Sequence, residues 1–158
     1  MTPREFLAEV VRPNVSEFHA NWASLRHAFN AVMAVDALVA HMFVWCVSHR
    51  LEELKDINTG TAYREMLAHR DPAAYGLLRD VAKAQKHVRL DFGKPQISGA
   101  AQIRTRATGW GEVAWGGGRW DGEQQVVVDL DSGKVRSLQE IVDGALLFLE
   151  GEMARIGC

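Results

Sequence analysis

From Val15 to Ser48 the chain contains neither glycine nor proline, and apolar residues recur there at helical spacing. With no breaker available, this stretch predicts one long helix, bent near Asn21. Between Ala28 and Val47 the apolar side chains fall nearly all round that helix, so it needs packing partners on several sides. The rest of the fold has to be built around it. Its most apolar part, "AVMAVDALVAHMFVWCV", is 17 residues long and carries Asp36 and His41. A spanning helix needs about 20 apolar residues, and a carboxylate near its middle is costly. The segment is therefore expected to be the buried central helix of a soluble bundle, with no membrane partner.

The flanking signals divide the rest. Thr2, Pro3 and Glu5 have the spacing of a capping box, for a short first helix stopped before Pro13. Beyond the long helix, "LEELKDI" reads as a short helical piece, "TAYREMLAHR" as a short helix, and Asp71 with Pro72 as the cap of a helix running to about Leu90. Gly93 and Pro95 end it. After Pro95 the period changes: "QIRTRAT" alternates, "QQVVVDL" is β-branched, and "DSG" before "KVR" is a tight-turn signal. Ser137 and Glu140 form a second capping box, opening a last helix with Ile141, Ala145, Leu149 and Met153 along one stripe. The expected fold class is α+β and mainly helical, as one domain: an antiparallel helical bundle over 1–94, a small antiparallel β-sheet over 95–136, and a closing helix over 137–156.

The formal charge of −2 gives no bulk affinity for nucleic acid, but it is unevenly distributed. Arg79 to Arg106 holds seven Lys or Arg against Asp80 and Asp91, a local +5, while Asp121 to Glu152 holds eight acids against Lys134 and Arg136, a local −6. Such asymmetry marks either an anion-facing surface with an acidic counterpart or solvated faces that neutralise each other. Two cysteines, Cys46 and Cys158, are too few for a disulfide framework, and the amino terminus shows no export leader, which sets a cytoplasmic location as the expectation.

At 100° per residue, Asn30, Ala34, Ala37, His41 and Ser48 share one narrow stripe of the long helix, where Asn30 and His41 are placed to hydrogen-bond into a neighbour. Asp36 points elsewhere, among Phe29, Val32, Phe43 and Val47, and a carboxylate in such surroundings needs a partner from another element. On the helix containing "RDVAKAQKH", Leu77, Val81, Ala84 and Val88 form the core stripe, Asp80 and His87 lie on its flank, and Arg79, Lys83 and Lys86 face outward. Two pairings follow: Asp36 with His87 or Lys83, and Asp80 with His41 or Asn30. Asn30, Asp36, His41, Asp80 and His87 thus form a candidate polar network, structural or ligand-binding.

Other chemistry finds little support. The paired Glu-x-x-His motif of carboxylate di-metal bundles is absent, no G-x-S-x-G elbow or phosphate-loop motif occurs, and neither metal nor cofactor is expected. His19, His49 and His69 read as surface or boundary residues. Trp110, Trp115 and Trp120, spaced every five residues in "GWGEVAWGGGRWDG", either stack on bases or sugars beside Arg104, Arg106 and Arg119 or cap a small core.

Through "HAFNAVMAVDALVAHMFVW", "LRDVAKAQKH" and "GWGEVAWGGGRW" the sequence resembles a group of uncharacterised (hypothetical) bacterial proteins, mostly alphaproteobacterial. That resemblance carries no activity. A more distant one is to the HEPN superfamily of helical bundles, which includes RNases using an R-x(4–6)-H motif and many inactive members. Arg64 and His69 in "REMLAH" have that spacing, whereas Arg79 and His87 depart from it. Two functional classes follow. One is a non-enzymatic binding or interaction module, self-associating as a homo-oligomer, in which the polar network holds register. The other is an RNA-acting HEPN-like enzyme or nucleotide-binding protein, with Arg64 and His69, or Asp80, Lys83 and His87, near the chemistry.

Overall fold

The computed structural model describes residues 1–90, 93–107 and 123–158. Its fold is α+β, mainly helical, with a three-stranded antiparallel sheet before the last helix. Helices α1 (Pro3–Phe6) and α2 (Arg12–Ala20) are joined end to end through a π-helical turn, Leu7–Val11. Pro13 therefore does not stop the first helix. The Arg12 N–H bonds back to Leu7 O, and this wider turn makes room for the proline ring, which would otherwise strike the carbonyl four residues back. Thr2 and Glu5 form the expected capping box.

The expected single helix from Val15 is broken at Asn21, and the central helix α3 is Leu25–His49. Local side-chain hydrogen bonds win over the absence of Gly and Pro: Asn21 Nδ2 donates to Glu17 O at 2.9 Å, and Ser24 Oγ caps α3 by accepting from His27 N. The freed backbone is used by the sheet, since Val126 N–H bonds to Trp22 O at 3.0 Å and Thr105 Oγ1 to Ala23 O at 2.9 Å. Along α3, Ala31, Val35, Leu38, Val39, Met42 and Cys46 are buried. Burial is not complete around it: Val44 is 62% and Val47 48% exposed. By length and apolarity α3 could span a membrane, but half of its most apolar stretch lies inside the fold.

A 3-10 turn, Leu51–Glu53, leads to α4 (Gly60–Arg70), capped by Thr59. Asp71 then caps the next segment by accepting from Ala74 N and Tyr75 N, a π-helical turn Pro72–Gly76 follows, and α5 spans Leu77–His87. The end of α5 comes earlier than the sequence reading placed it. Val88 adopts φ 61°, and Arg89 N–H turns back to His87 O at 2.6 Å, so Val88 is 68% exposed rather than in the core stripe.

Strands β1 (Ile103–Ala107), β2 (Gln124–Asp129) and β3 (Val135–Ser137) pair antiparallel in that order, with Ile103 opposite Val128 and Val128 opposite Arg136. The "DSG" turn closes through Gly133 at φ 81°. Helix α6 (Leu138–Ile156) buries Ile141, Ala145, Leu149 and Met153, the anticipated stripe. The second capping box does not form: Ser137 Oγ donates to Gln125 Oε1 instead, and Glu140 reaches Arg136. Gly144 lets α6 lie directly on the Pro72–Gly76 turn, because a Cβ there would stand 2.9 Å from Ala74 Cβ. At the far end of α6, buried Glu152 accepts from Arg70 at 2.6 Å and Arg155 at 3.1 Å, and Arg155 also binds Glu53. Both cysteines are free and buried, and burial pushes the Cys158 thiol up to about 11. One contiguous core joins α1 through α6 and the sheet.

Candidate functional site

Helix α4 turns Tyr63 and Leu67 into the core, four residues apart on one face, which leaves Glu65, Ala68 and His69 beside α5. Helix α5 buries Leu77, Leu78, Val81 and Ala84, placing Arg79, Asp80 and Lys83 on the edge toward α4. Gly76 sets the approach, since a Cβ at that position would meet Ala68 O at 3.1 Å and Asp71 O at 3.3 Å. The reversal at Val88 then brings the following segment back along α5. Gln96 ties it down: its N–H donates to Asp80 Oδ2 at 2.9 Å, its Nε2 to Pro72 O at 2.7 Å, and its carbonyl accepts from Asp131 N at 3.0 Å. Between α4, α5 and this strap lies a cleft of about 380 Å³, walled on the strap side by Lys94 and Pro95.

The cations of this cleft are in different states. Arg79 is buried and ion-paired with Glu65 Oε1 at 3.1 Å. Lys83 and Lys94 line the cleft with no hydrogen-bonded or ion-pair partner among the described residues. Burial pushes the Asp80 carboxyl above its ordinary range, against the opposing effects of the Gln96 N–H and the Lys83 and Arg79 charges. The site therefore offers two free ammonium groups, a rim histidine and one desolvated carboxylate.

A second polar cluster is closed. On α3, Asp36 is 6% exposed; Tyr75 donates to its Oδ1 at 3.3 Å, and Arg64 Nε lies 3.5 Å from its Oδ2. Burial first, and then the Asp36 charge, push the Tyr75 phenol above its ordinary range, keeping it a donor. This triangle pins α3, α4 and the start of α5 in register.

The five residues of the expected network do not meet. Asp36 pairs with Tyr75 and Arg64 rather than with His87 or Lys83, because α5 ends in a reversal that leaves His87 exposed at its terminus. Asp80 pairs with Gln96 rather than with His41 or Asn30. His41 stacks on Phe6, ring centroids 4.0 Å apart, and Asn30 is exposed. Arg79 is buried rather than outward-facing. Of the other candidates, Lys83 and His69 join Asp80 in the cleft, while Arg64 turns to Asp36, as expected for residues five apart and so about 140° apart around a helix. His19 is half-buried against Asp143 at 2.8 Å, and His49 is exposed and stacked on Trp45. Trp110, Trp115 and Trp120 lie outside the described residues.

Sequence reading missed Tyr75, Lys94 and Gln96. Lys94 lay in a segment read only as a helix stop and Gln96 at the start of the range assigned to the sheet, and the clue was the excess of cations continuing past Leu90. Comparison of the chain with family models, curated proteins and solved structures finds no match.

Proposed function

We propose that this protein is a non-enzymatic binding module that takes an anionic ligand in the cleft between α4 and α5. The observation that carries the reading is the pair Lys83 and Lys94, from two different walls, lining the same cavity without a hydrogen-bond or ion-pair partner among the described residues. An ammonium kept beside a concave, partly desolvated surface draws in an anion, and protein walls of low dielectric strengthen that attraction. The Asp36, Tyr75 and Arg64 triangle supports the cleft by fixing the helices that form it, and takes no part in binding.

Thermal unfolding in a panel of small anions at constant ionic strength tests the reading. A cleft ligand raises the transition temperature of the wild type through binding to the folded state. Substitution of both lysines by glutamate is expected to abolish that rise. An equal rise in the doubly substituted protein contradicts the reading, as does RNA cleavage by the wild type that is lost in His69→Ala.

A further inference from the structure

Resting on that reading of the cleft, we infer that its ligand is the phosphate monoester of a small hydroxylated molecule. The argument begins with which cations are open. Planar carboxylates are best read by an arginine fork, and the one arginine lining the cleft among the described residues has its charge committed to Glu65 at 3.1 Å. The open cations among the described residues are two lysines, point charges with no planar preference, one from α5 and one from the strap. A tetrahedral dianion has enough oxygens to accept from both at once; a phosphate monoester at neutral pH carries close to two charges and three strong acceptor oxygens.

Asp80 then restricts the rest of the ligand. Its Oδ2 is occupied by the Gln96 N–H, and its Oδ1 accepts nothing from the described residues. A carboxylate repels a phosphoryl group brought beside it, unless the ligand also carries a donor that the carboxylate can take. A hydroxyl on the carbon skeleton meets that need. Ala68, Leu90 and Pro95 give that skeleton an apolar surface, and about 380 Å³ is the scale of a small-ligand pocket. In this arrangement Lys83 and Lys94 hold the phosphoryl oxygens, and Asp80 Oδ1 accepts the hydroxyl.

Isothermal titration calorimetry on the full chain tests this with four probes: glycerol 3-phosphate, inorganic phosphate, succinate and glycerol. Glycerol 3-phosphate is expected to bind at least about tenfold more tightly than succinate, and glycerol alone not at all. Lys83→Gln and Lys94→Gln each weaken both phosphate probes by about tenfold or more, the scale of one lost charge-assisted hydrogen bond. Neither lysine holds the fold, so both variants keep the wild-type melting temperature. Asp80→Asn relieves the repulsion felt by both phosphate probes but takes away the acceptor for the hydroxyl, so the preference for glycerol 3-phosphate over inorganic phosphate shrinks. Succinate binding as tightly as glycerol 3-phosphate overturns the phosphoryl assignment and leaves the anion reading standing. Failure of every anion to bind overturns both. Phosphate binding that survives both lysine substitutions moves the site elsewhere, and a ratio of glycerol 3-phosphate to inorganic phosphate affinity that is unchanged in Asp80→Asn overturns the hydroxyl contact.

Discussion

Tyr75, on the turn that leads into α5, donates its phenolic hydrogen to Asp36 Oδ1 on α3 at 3.3 Å. Thirty-nine residues of sequence separate them, so this bond, with Arg64 on the other carboxylate oxygen, holds three helices to one arrangement. A buried carboxylate is tolerable only while it has such partners.

Removing those partners one at a time should therefore have unequal costs. Arg64→Met leaves a buried charge with only a hydroxyl to answer it, and should lower stability by about 3 kcal/mol. Tyr75→Phe, which keeps the ring and the ion pair, should cost about 1–2 kcal/mol. Urea unfolding of the two variants checks the order. Equal, negligible losses would contradict the claim that these two partners hold Asp36 and, through it, the helices.

The reversal after α5 carries backbone strain at one residue and a steric limit at its partner. Val88 is β-branched and sits at φ 61°, a region such residues rarely adopt, while being 68% exposed. Val88→Gly should raise stability by about 0.5–1 kcal/mol, the relief of strain exceeding glycine's entropic cost. Gly99→Ala should act in the opposite direction, since a Cβ there would stand 2.4 Å from Val88 O, backbone that cannot yield. A loss of about 1–3 kcal/mol is expected. Thermal unfolding of both variants reads the two signs.

Asp80 gives stability a pH dependence of known sign. Its folded value lies above the ordinary 3.8, so the folded protein holds that proton more tightly than the unfolded chain. Its contribution to stability is therefore greatest below 3.8 and declines as pH rises through the raised folded value, then stays level. Asp80→Asn keeps an oxygen for the Gln96 N–H and removes that decline. The variant should equal or exceed the wild type in stability at neutral pH, and its advantage should shrink as the solution is acidified toward 3.8. A difference independent of pH would contradict this.

The legible part of the fold was what local pattern dictates. The β-branched run of "QQVVVDL", the "DSG" turn and the stripe from Ile141 to Met153 each specify an element without reference to neighbours, and each is present. Pro13 was misread because a π-helical turn can absorb a proline. The break at Asn21 was read only as a bend because, beside its local Asn21 and Ser24 hydrogen bonds, the strand contacts that take up the freed backbone, from Val126 and Thr105, come from more than 80 residues away. The site was half legible. Asp80, Lys83 and His69 were found as side chains with chemistry to offer, and Asp36 was correctly judged to need a partner from elsewhere. Helical spacing could not supply that partner, since Tyr75 approaches through a non-helical cap at Asp71, and it could not place Lys94 and Gln96, whose positions follow from the reversal at Val88.

The central claim is that Lys83 and Lys94 make the α4–α5 cleft an anion site. Titration of the ¹⁵N-labelled chain with inorganic phosphate, followed by amide chemical shifts, tests it most directly. The account predicts saturable shifts centred on His69, Lys83, Lys94 and Gln96, and their loss when both lysines are replaced by glutamate. Shifts scattered over the surface, absent from the cleft, or unchanged in the doubly substituted protein would contradict it.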